Sequence, residues 1–456
     1  MTGAAETAGP GTRCVHAGVA PDAATGALVP PIVQSTTYAW PSLDQPPRTS
    51  YARGGGATVE ALERRLADLE GGASALAFSS GLAAIDALLT SLAPGARVVA
   101  GTNVYGGTVR LLERIRAGHL EVAWVDSSDT EALRTALRTP TALVLVETPS
   151  NPTLAITDVE AAAHAAHAAG ALLAVDNTFL SPLWQRPLEL GADVVVHSTT
   201  KYIDGHNVTL GGALVFPARH GGAGPNERGP LASRLRWIRN GTGTVLAPFE
   251  AWLTLQGSKT LHLRTERQWA NARAVAQALD ESPLVTRVLY PGLPSHPNHA
   301  VHHRQSRGDG GVVAVDLGSR EAARRFVAAL RVFTLAENLG AAESLATHPV
   351  SMTHADVAPA VRASLGITDG LVRLSLGIED ADDLVADVLQ ALRQSHAEDP
   401  SSAAVPASAS PKPTLSPPCT PSELSTPSTS GPCAEPAPSG PPGPPSRRGL
   451  AFEVAA

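Results

Sequence analysis

The sequence predicts an α/β protein: a mostly parallel sheet covered by helices on both faces, a smaller C-terminal α/β domain, and a disordered tail. Three observations lead there. Short apolar, β-branched runs alternate with stretches of helical periodicity. The runs are apolar throughout, as strands buried on both faces are. Several end in polar residues, and open parallel sheets bind ligands at those strand ends.

The chain has 456 residues, enough for two domains and more. Hydrophobic content of 43% is globular, and a net charge of −7 without a Lys/Arg cluster gives no pull toward nucleic acid. No run reaches the roughly 18 apolar residues of a membrane span. The N-terminus lacks the basic and apolar regions of a secretory signal. Cys14, Cys419 and Cys433 make no disulfide framework, which fits a reducing cytoplasm. With aromatics at 4%, the core must be built mainly from Ala, Val and Leu.

Residues 1–50 are rich in proline and aperiodic, and read as an extended arm, laid on another surface or loose. Residues 51–250 then carry the large domain. Val59, Leu62, Leu66 and Leu69 share a helical face, with Thr58 as expected N-cap and Gly71-Gly72 as stop. Ala75–Phe78 is a strand. Ser79-Ser80-Gly81-Leu82 turns into a helix whose first amides face outward, as anion sites require. Strands follow at Arg97–Ala100, Leu120–Val125, Thr141–Glu147, Ala171–Asp176, Asp193–Ser198 and Leu210–Phe216, with a helix at Asp158–Ala169 among those between. Ala218–Gly229 reads as a surface loop. Phe249–Leu255 and Arg264–Leu279 are helical, and residues 251–396 form the smaller domain, with strands at Val312–Leu317 and Leu371–Leu376 and helices at Arg320–Leu330 and Asp382–Leu392. Residues 397–456 hold 15 of the 38 prolines and cannot bury enough apolar surface to order themselves.

The chemistry gathers at Val194–Tyr202, VVVHSTTKY. A lysine leaving a buried strand is placed to form a Schiff base with a carbonyl cofactor, and the hydroxyls beside it to hold a phosphate. Alone, such a lysine is equally a solvated surface group. Asp176 ends another strand. It is either a turn former or the carboxylate that keeps a pyridine nitrogen protonated. Arg373, inside the apolar LVRLSLG, is either internally salt-bridged or a clamp for a substrate carboxylate. His296, His299, His302 and His303 lack zinc-ligand spacing and read as solvated; no metal is expected.

Taken together, SSGLAA (79–84), NVYGGTVR (103–110), ETPSNPT (147–153), VDNTF (175–179), HSTTKY (197–202), YPGLPSHP (290–297), TLAENLGAAESL (334–345), SMTH (351–354) and RLSLGIED (373–380) resemble the cystathionine γ-synthase/γ-lyase, or Cys/Met metabolism, family of fold-type I enzymes that use pyridoxal phosphate (PLP). The resemblance implies the following roles. Lys201 carries PLP and moves protons. Asp176 pairs with the ring nitrogen. Tyr105 stacks on the ring and acts as a base. Ser80, Gly81, Leu82, Ser198 and Thr200 bind the phosphate, with Tyr51 and Arg53 reaching it from a neighbouring subunit of a homotetramer, a dimer of dimers. Asn151 lies by the ring hydroxyl. Arg373 and Asn338 hold the substrate carboxylate, and Arg110 and Glu337 lie near its distal end. Four positions depart from the common pattern: Gly56-Ala57 for Asn-Pro, Ser50 for an acid, and Asn338 for serine. They bear on substrate choice more than on cofactor binding. The implied function is cytoplasmic transsulfuration at Cγ, with cystathionine γ-lyase first. Cystathionine γ-synthase is next, then O-acylhomoserine sulfhydrylase or methionine γ-lyase. A PLP-binding homologue without activity is the rival of another class.

Overall fold

Seven strands form the first sheet: β1 (Ser74–Phe78), β2 (Arg97–Gly101), β3 (Glu121–Val125), β4 (Leu143–Glu147), β5 (Leu172–Asp176), β6 (Val194–His197) and β7 (Gly212–Phe216). Their order is β1-β7-β6-β5-β4-β2-β3. In this computed structural model, which describes residues 8–220 and 231–396, all pairs are parallel except those made by β7. Because β7 opposes both neighbours, β1 runs in the same sense as β6, and the ends of six strands open on one edge. Side chains alternate between two apolar layers: Val144, Val175 and Val195 face one, Leu145, Ala174 and Val196 the other. This is why the strand sequences read as unbroken apolar runs.

A second sheet, of order β10-β11-β12-β9-β8, comprises β8 (Arg287–Leu289), β9 (Val312–Asp316), β10 (Thr334–Leu335), β11 (Leu345–Thr347) and β12 (Leu371–Ser375). Its pairs are antiparallel apart from β10–β11. Val313, Val315, Val372 and Leu374 pack with Val275 and Leu279 of the helix Leu261–Asp280 and Leu384 and Val388 of the helix Ala381–His396.

Three expectations need correction. The arm begins with a helix, α1 (Pro10–His16), with Cys14 fully buried. Its C-terminal carbonyls are taken by the buried Arg65, which donates to Cys14, Val15 and Ala17 oxygens. A seven-residue helix without that tertiary cap leaves little trace in sequence. Second, Thr58 lies inside α2 (Ala57–Glu70) rather than capping it. Its hydroxyl donates to Pro31 O and accepts from Val33 N, stitching the arm to the helix. Third, His296 and His302 are buried, not solvated. His296 Nε2 meets Leu154 O at 3.0 Å and His302 lies 3.2 Å from Asp309. Among the described residues no group of His, Cys, Asp and Glu could hold a metal, and no helix is long and apolar enough to cross a membrane. The loop expected at 218–229 falls outside the described residues from 221, and the tail at 397–456 lies wholly outside them.

Candidate active site

The strand ends of the first sheet meet the second sheet around a cavity of about 170 Å³. Its lining brings together residues from across the chain: Ser80, Gly81 and Leu82 after β1, Tyr105 after β2, Asn151 after β4, Asp176 ending β5, Ser198, Thr200 and Lys201 after β6, and Glu337 and Arg373 from the second sheet's side. Those from the first sheet stand where their strands run out, because backbone leaving a sheet can turn polar side chains into open space.

The turn after β1 is built for close approach. Ser80 caps α3 (Gly81–Thr90) by accepting from Ala83 N at 3.0 Å. The amides of Gly81 and Leu82 are then first-turn donors without an internal partner. A Cβ at Gly81 would stand 3.1 Å from the Ser198 Cβ, so glycine lets the turns after β1 and β6 touch. Ser198's hydroxyl has no partner among the described residues, whereas Thr200 Oγ1 accepts from Gly211 N at 2.9 Å. Two free amides and a free hydroxyl at a helix N-terminus suit a phosphate.

Lys201 is held inside by an acceptor, Asn338 Oδ1. Its pKa falls from an ordinary 10.5 to about 8, through burial first and then the positive Arg373, with Glu337 acting against them. A lysine so lowered is a competent nucleophile toward an aldehyde. Asp176 accepts from Thr178 N at 3.0 Å and Thr178 Oγ1 at 2.5 Å, and it lines the cavity. Burial raises its pKa. A cationic ring nitrogen is the partner that would relieve that cost.

Glu147, beside Asp176 in the β4–β5 register, is the residue sequence reasoning passed over. Burial, and next the Asp176 charge, hold it well above the usual carboxylate range. It accepts from Tyr105 N at 2.8 Å and so fixes the backbone that carries the ring. A Cβ at Gly107 would meet Tyr105 Cε1 at 2.4 Å, so glycine makes room for that ring. Glu147 and Thr178 share the strand-end position that marked Asp176, which is the signal that could have found them.

Arg373 lies in the middle of β12, buried. It donates to Asn151 Oδ1 at 2.8 Å, Asn338 O at 3.0 Å and Thr347 Oγ1 at 3.1 Å. It makes no ion pair among the described residues, and its Nε is buried without a partner. Burial lowers its pKa to about 10. The internal salt bridge is therefore absent among the described residues, although the Glu147 and Glu337 charges act on Arg373 from further off.

Three named residues stand apart. Arg110 is exposed and paired with Asp356 at 3.1 Å. Tyr51 and Arg53 line a separate hollow with Tyr38 and Val245, where Arg53 donates to Asn240 Oδ1 at 3.2 Å. Within one chain they do not enter the Lys201 cavity.

The donor set therefore fits PLP: an amine for its aldehyde, a carboxylate for its ring nitrogen and amides for its phosphate. Comparison with known proteins agrees. The profile of the Cys/Met metabolism PLP-dependent enzymes matches residues 11–393. Cystathionine γ-lyase of Bacillus subtilis is 43% identical over 383 residues, 84% of this chain and 98% of that protein. Cystathionine γ-synthase of Mycobacterium tuberculosis is 47% identical over 395 residues, 86% and 98% respectively. The structure of cystathionine γ-synthase from Xanthomonas oryzae pv. oryzae in complex with cystathionine superposes with a TM-score of 0.81 at 43% identity, covering 86% of this chain and 99% of that one. The chain is an enzyme of fold-type I with PLP as its cofactor, and it belongs to the Cys/Met metabolism family of PLP-dependent enzymes.

Proposed function

We propose that the enzyme breaks the Cγ–S bond of cystathionine, giving cysteine, 2-oxobutyrate and ammonia with the uptake of one water. The observation that carries this reading is the charge layout around Lys201. Its charged neighbours are a buried, unpaired Arg373 and an exposed carboxylate, Glu337. An amino acid with a carboxylate at one end and a second ammonium at the other matches both.

PLP, when bound, withdraws electrons from the substrate's Cα and Cβ and so acidifies their protons. The protein's residues do the rest. Gly81 and Leu82 amides, with the Ser198 hydroxyl, would hold the phosphate, and Thr200, whose hydroxyl is bonded to Gly211 O and N, would line the same site. Asp176 keeps a proton on the pyridine nitrogen, and Thr178 fixes that carboxylate by two hydrogen bonds. Tyr105 would cover the ring, with its backbone held by Glu147. Asn151 would serve the ring hydroxyl, and it accepts from Arg373 and steadies the guanidinium that would orient the substrate carboxylate. Lys201 takes the Cα proton and passes protons on toward Cβ, which a pKa near neutrality favours.

The same proposal covers the assembly and location. The enzyme is a cytoplasmic homotetramer with an arm over residues 1–50, a cofactor domain over 51–250 and a substrate-side domain over 251–396. Tyr51 and Arg53 complete the phosphate site of the neighbouring subunit, which accounts for their absence from the cavity of their own chain.

A second reading is γ-replacement, in which the sulfur of cysteine replaces the acyloxy group at Cγ of an O-acylhomoserine, giving cystathionine and the free carboxylic acid. The 47% identity to the mycobacterial γ-synthase favours it. One experiment separates the two. Cysteine and 2-oxobutyrate released from cystathionine support the lyase. Cystathionine made from an O-acylhomoserine and cysteine, with no release from cystathionine itself, supports the synthase.

A further inference from the structure

A chain of hydrogen bonds leads from Lys201 to the surface. Lys201 Nζ donates to Asn338 Oδ1, Asn338 Nδ2 donates to Asn207 Oδ1, and Asn207 Nδ2 donates to Glu343 Oε2 at 3.0 Å. Asn207 lies in the loop before β7, and the other two lie between β10 and β11. Asn207 holds φ +56°, a left-handed conformation that asparagine tolerates better than most residues.

The far end fixes the direction of the chain. A carboxylate only accepts, whereas an amide both donates and accepts. Glu343 takes the Nδ2 side of Asn207 and leaves Oδ1 for Asn338. Asn338 must then turn Nδ2 toward Asn207 and Oδ1 toward Lys201. With its amide reversed, Asn338 would offer N–H groups to the amine and occupy its lone pair.

We propose that Glu343, acting through Asn207 and Asn338, is a positioning group that keeps an acceptor against the Lys201 amine, so that one N–H is held and the nitrogen lone pair stays free for the substrate's proton. The proposal rests on the reading of Lys201 as the group that moves the Cα proton. Arg373 and Glu337, the charged neighbours of Lys201, stay unchanged in every relay variant below.

The test uses the PLP-loaded enzyme and L-2-aminobutyrate in D₂O. This amino acid has a Cγ but no leaving group there, so the reaction stops at exchange. The Cα proton passes to Lys201 Nζ and a deuteron returns from the same nitrogen, which proton NMR follows. In Glu343→Gln the new amide can turn either face to Asn207, and the orientation of Asn338 is no longer set. Exchange should slow about three- to tenfold, with cofactor absorbance and KM close to wild type. In the exchanged pair Asn207→Asp/Glu343→Gln, the carboxylate at 207 accepts from Asn338 Nδ2 and the amide at 343 donates to it. Exchange should return to within about twofold of wild type. Wild-type exchange in Glu343→Gln, or a double variant as slow as the single one, overturns the relay alone. A wild type that exchanges nothing, or Lys201→Ala that exchanges normally, overturns the reading of Lys201 and the relay with it.

Discussion

The lowered pKa of Lys201 makes a prediction about cofactor loading. At pH 7 a lysine of pKa 10.5 is neutral in about 1 molecule in 3,000, and one of pKa 8 in about 1 in 11. The buried site therefore offers about 300-fold more nucleophilic amine. Adding PLP to cofactor-free enzyme and following the visible absorbance gives the loading rate. It should rise about tenfold per pH unit up to about pH 8 and then level. Burial is the larger cause of the shift and the Arg373 charge the next, so removing the charge moves the break without abolishing it. Arg373→Met should raise the Lys201 pKa and slow loading at pH 7 by about tenfold. Glu337→Gln, which removes a charge acting the other way, should speed it by about threefold, the smaller effect because Glu337 is exposed. A rate flat from pH 6 to 9, or two variants shifted in the same direction, would refute the electrostatic argument.

Further outcomes follow from the same geometry. Asp176→Asn should retain PLP but lower turnover by about 100-fold, because the ring nitrogen loses its carboxylate; steady-state kinetics on a protein of unchanged cofactor content checks this. In cofactor-free enzyme the folded pKa of Lys201, about 8, lies below the unfolded 10.5, so its stability penalty is complete below pH 8 and fades as pH rises to 10.5. Lys201→Met should therefore stabilise that form at pH 7 by up to about 3 kcal/mol in urea unfolding, with this electrostatic gain gone above pH 10.5. If Tyr51 and Arg53 serve a neighbouring subunit, an inactive Arg53→Ala enzyme mixed with inactive Lys201→Ala and allowed to exchange subunits should regain activity; a mixture that stays inactive after demonstrated exchange counts against shared sites. Truncation after residue 396 should leave turnover intact, since the family match ends at 393 and every cavity residue precedes it.

The sheet and the centre of the site were legible because both follow local rules. Buried strands write unbroken apolar runs, and Lys201, Asp176 and Arg373 are polar residues where those runs end or where a charge interrupts them. Other features depend on distant contacts. A hydroxyl at Thr58 has the same sequence signal whether it caps its helix or ties down Pro31 and Val33. The helix α1 owes its end to Arg65, about 50 residues away. Periodicity carries no information on strand direction, so the reversal of β7 was not visible. Glu147 looked like any strand-end acid until register placed it against Asp176. The link from Asn207 to Glu343 spans 136 residues.

The central claim is one carbon–nitrogen double bond between PLP and the Lys201 amine. Borohydride reduction of the PLP-loaded enzyme makes that bond permanent, and peptide mass mapping then finds it. The reduced cofactor should lie on the peptide containing Lys201 and should vanish from it in Lys201→Ala. A label on another lysine, or enzyme that holds PLP yet yields no labelled peptide, would contradict the account.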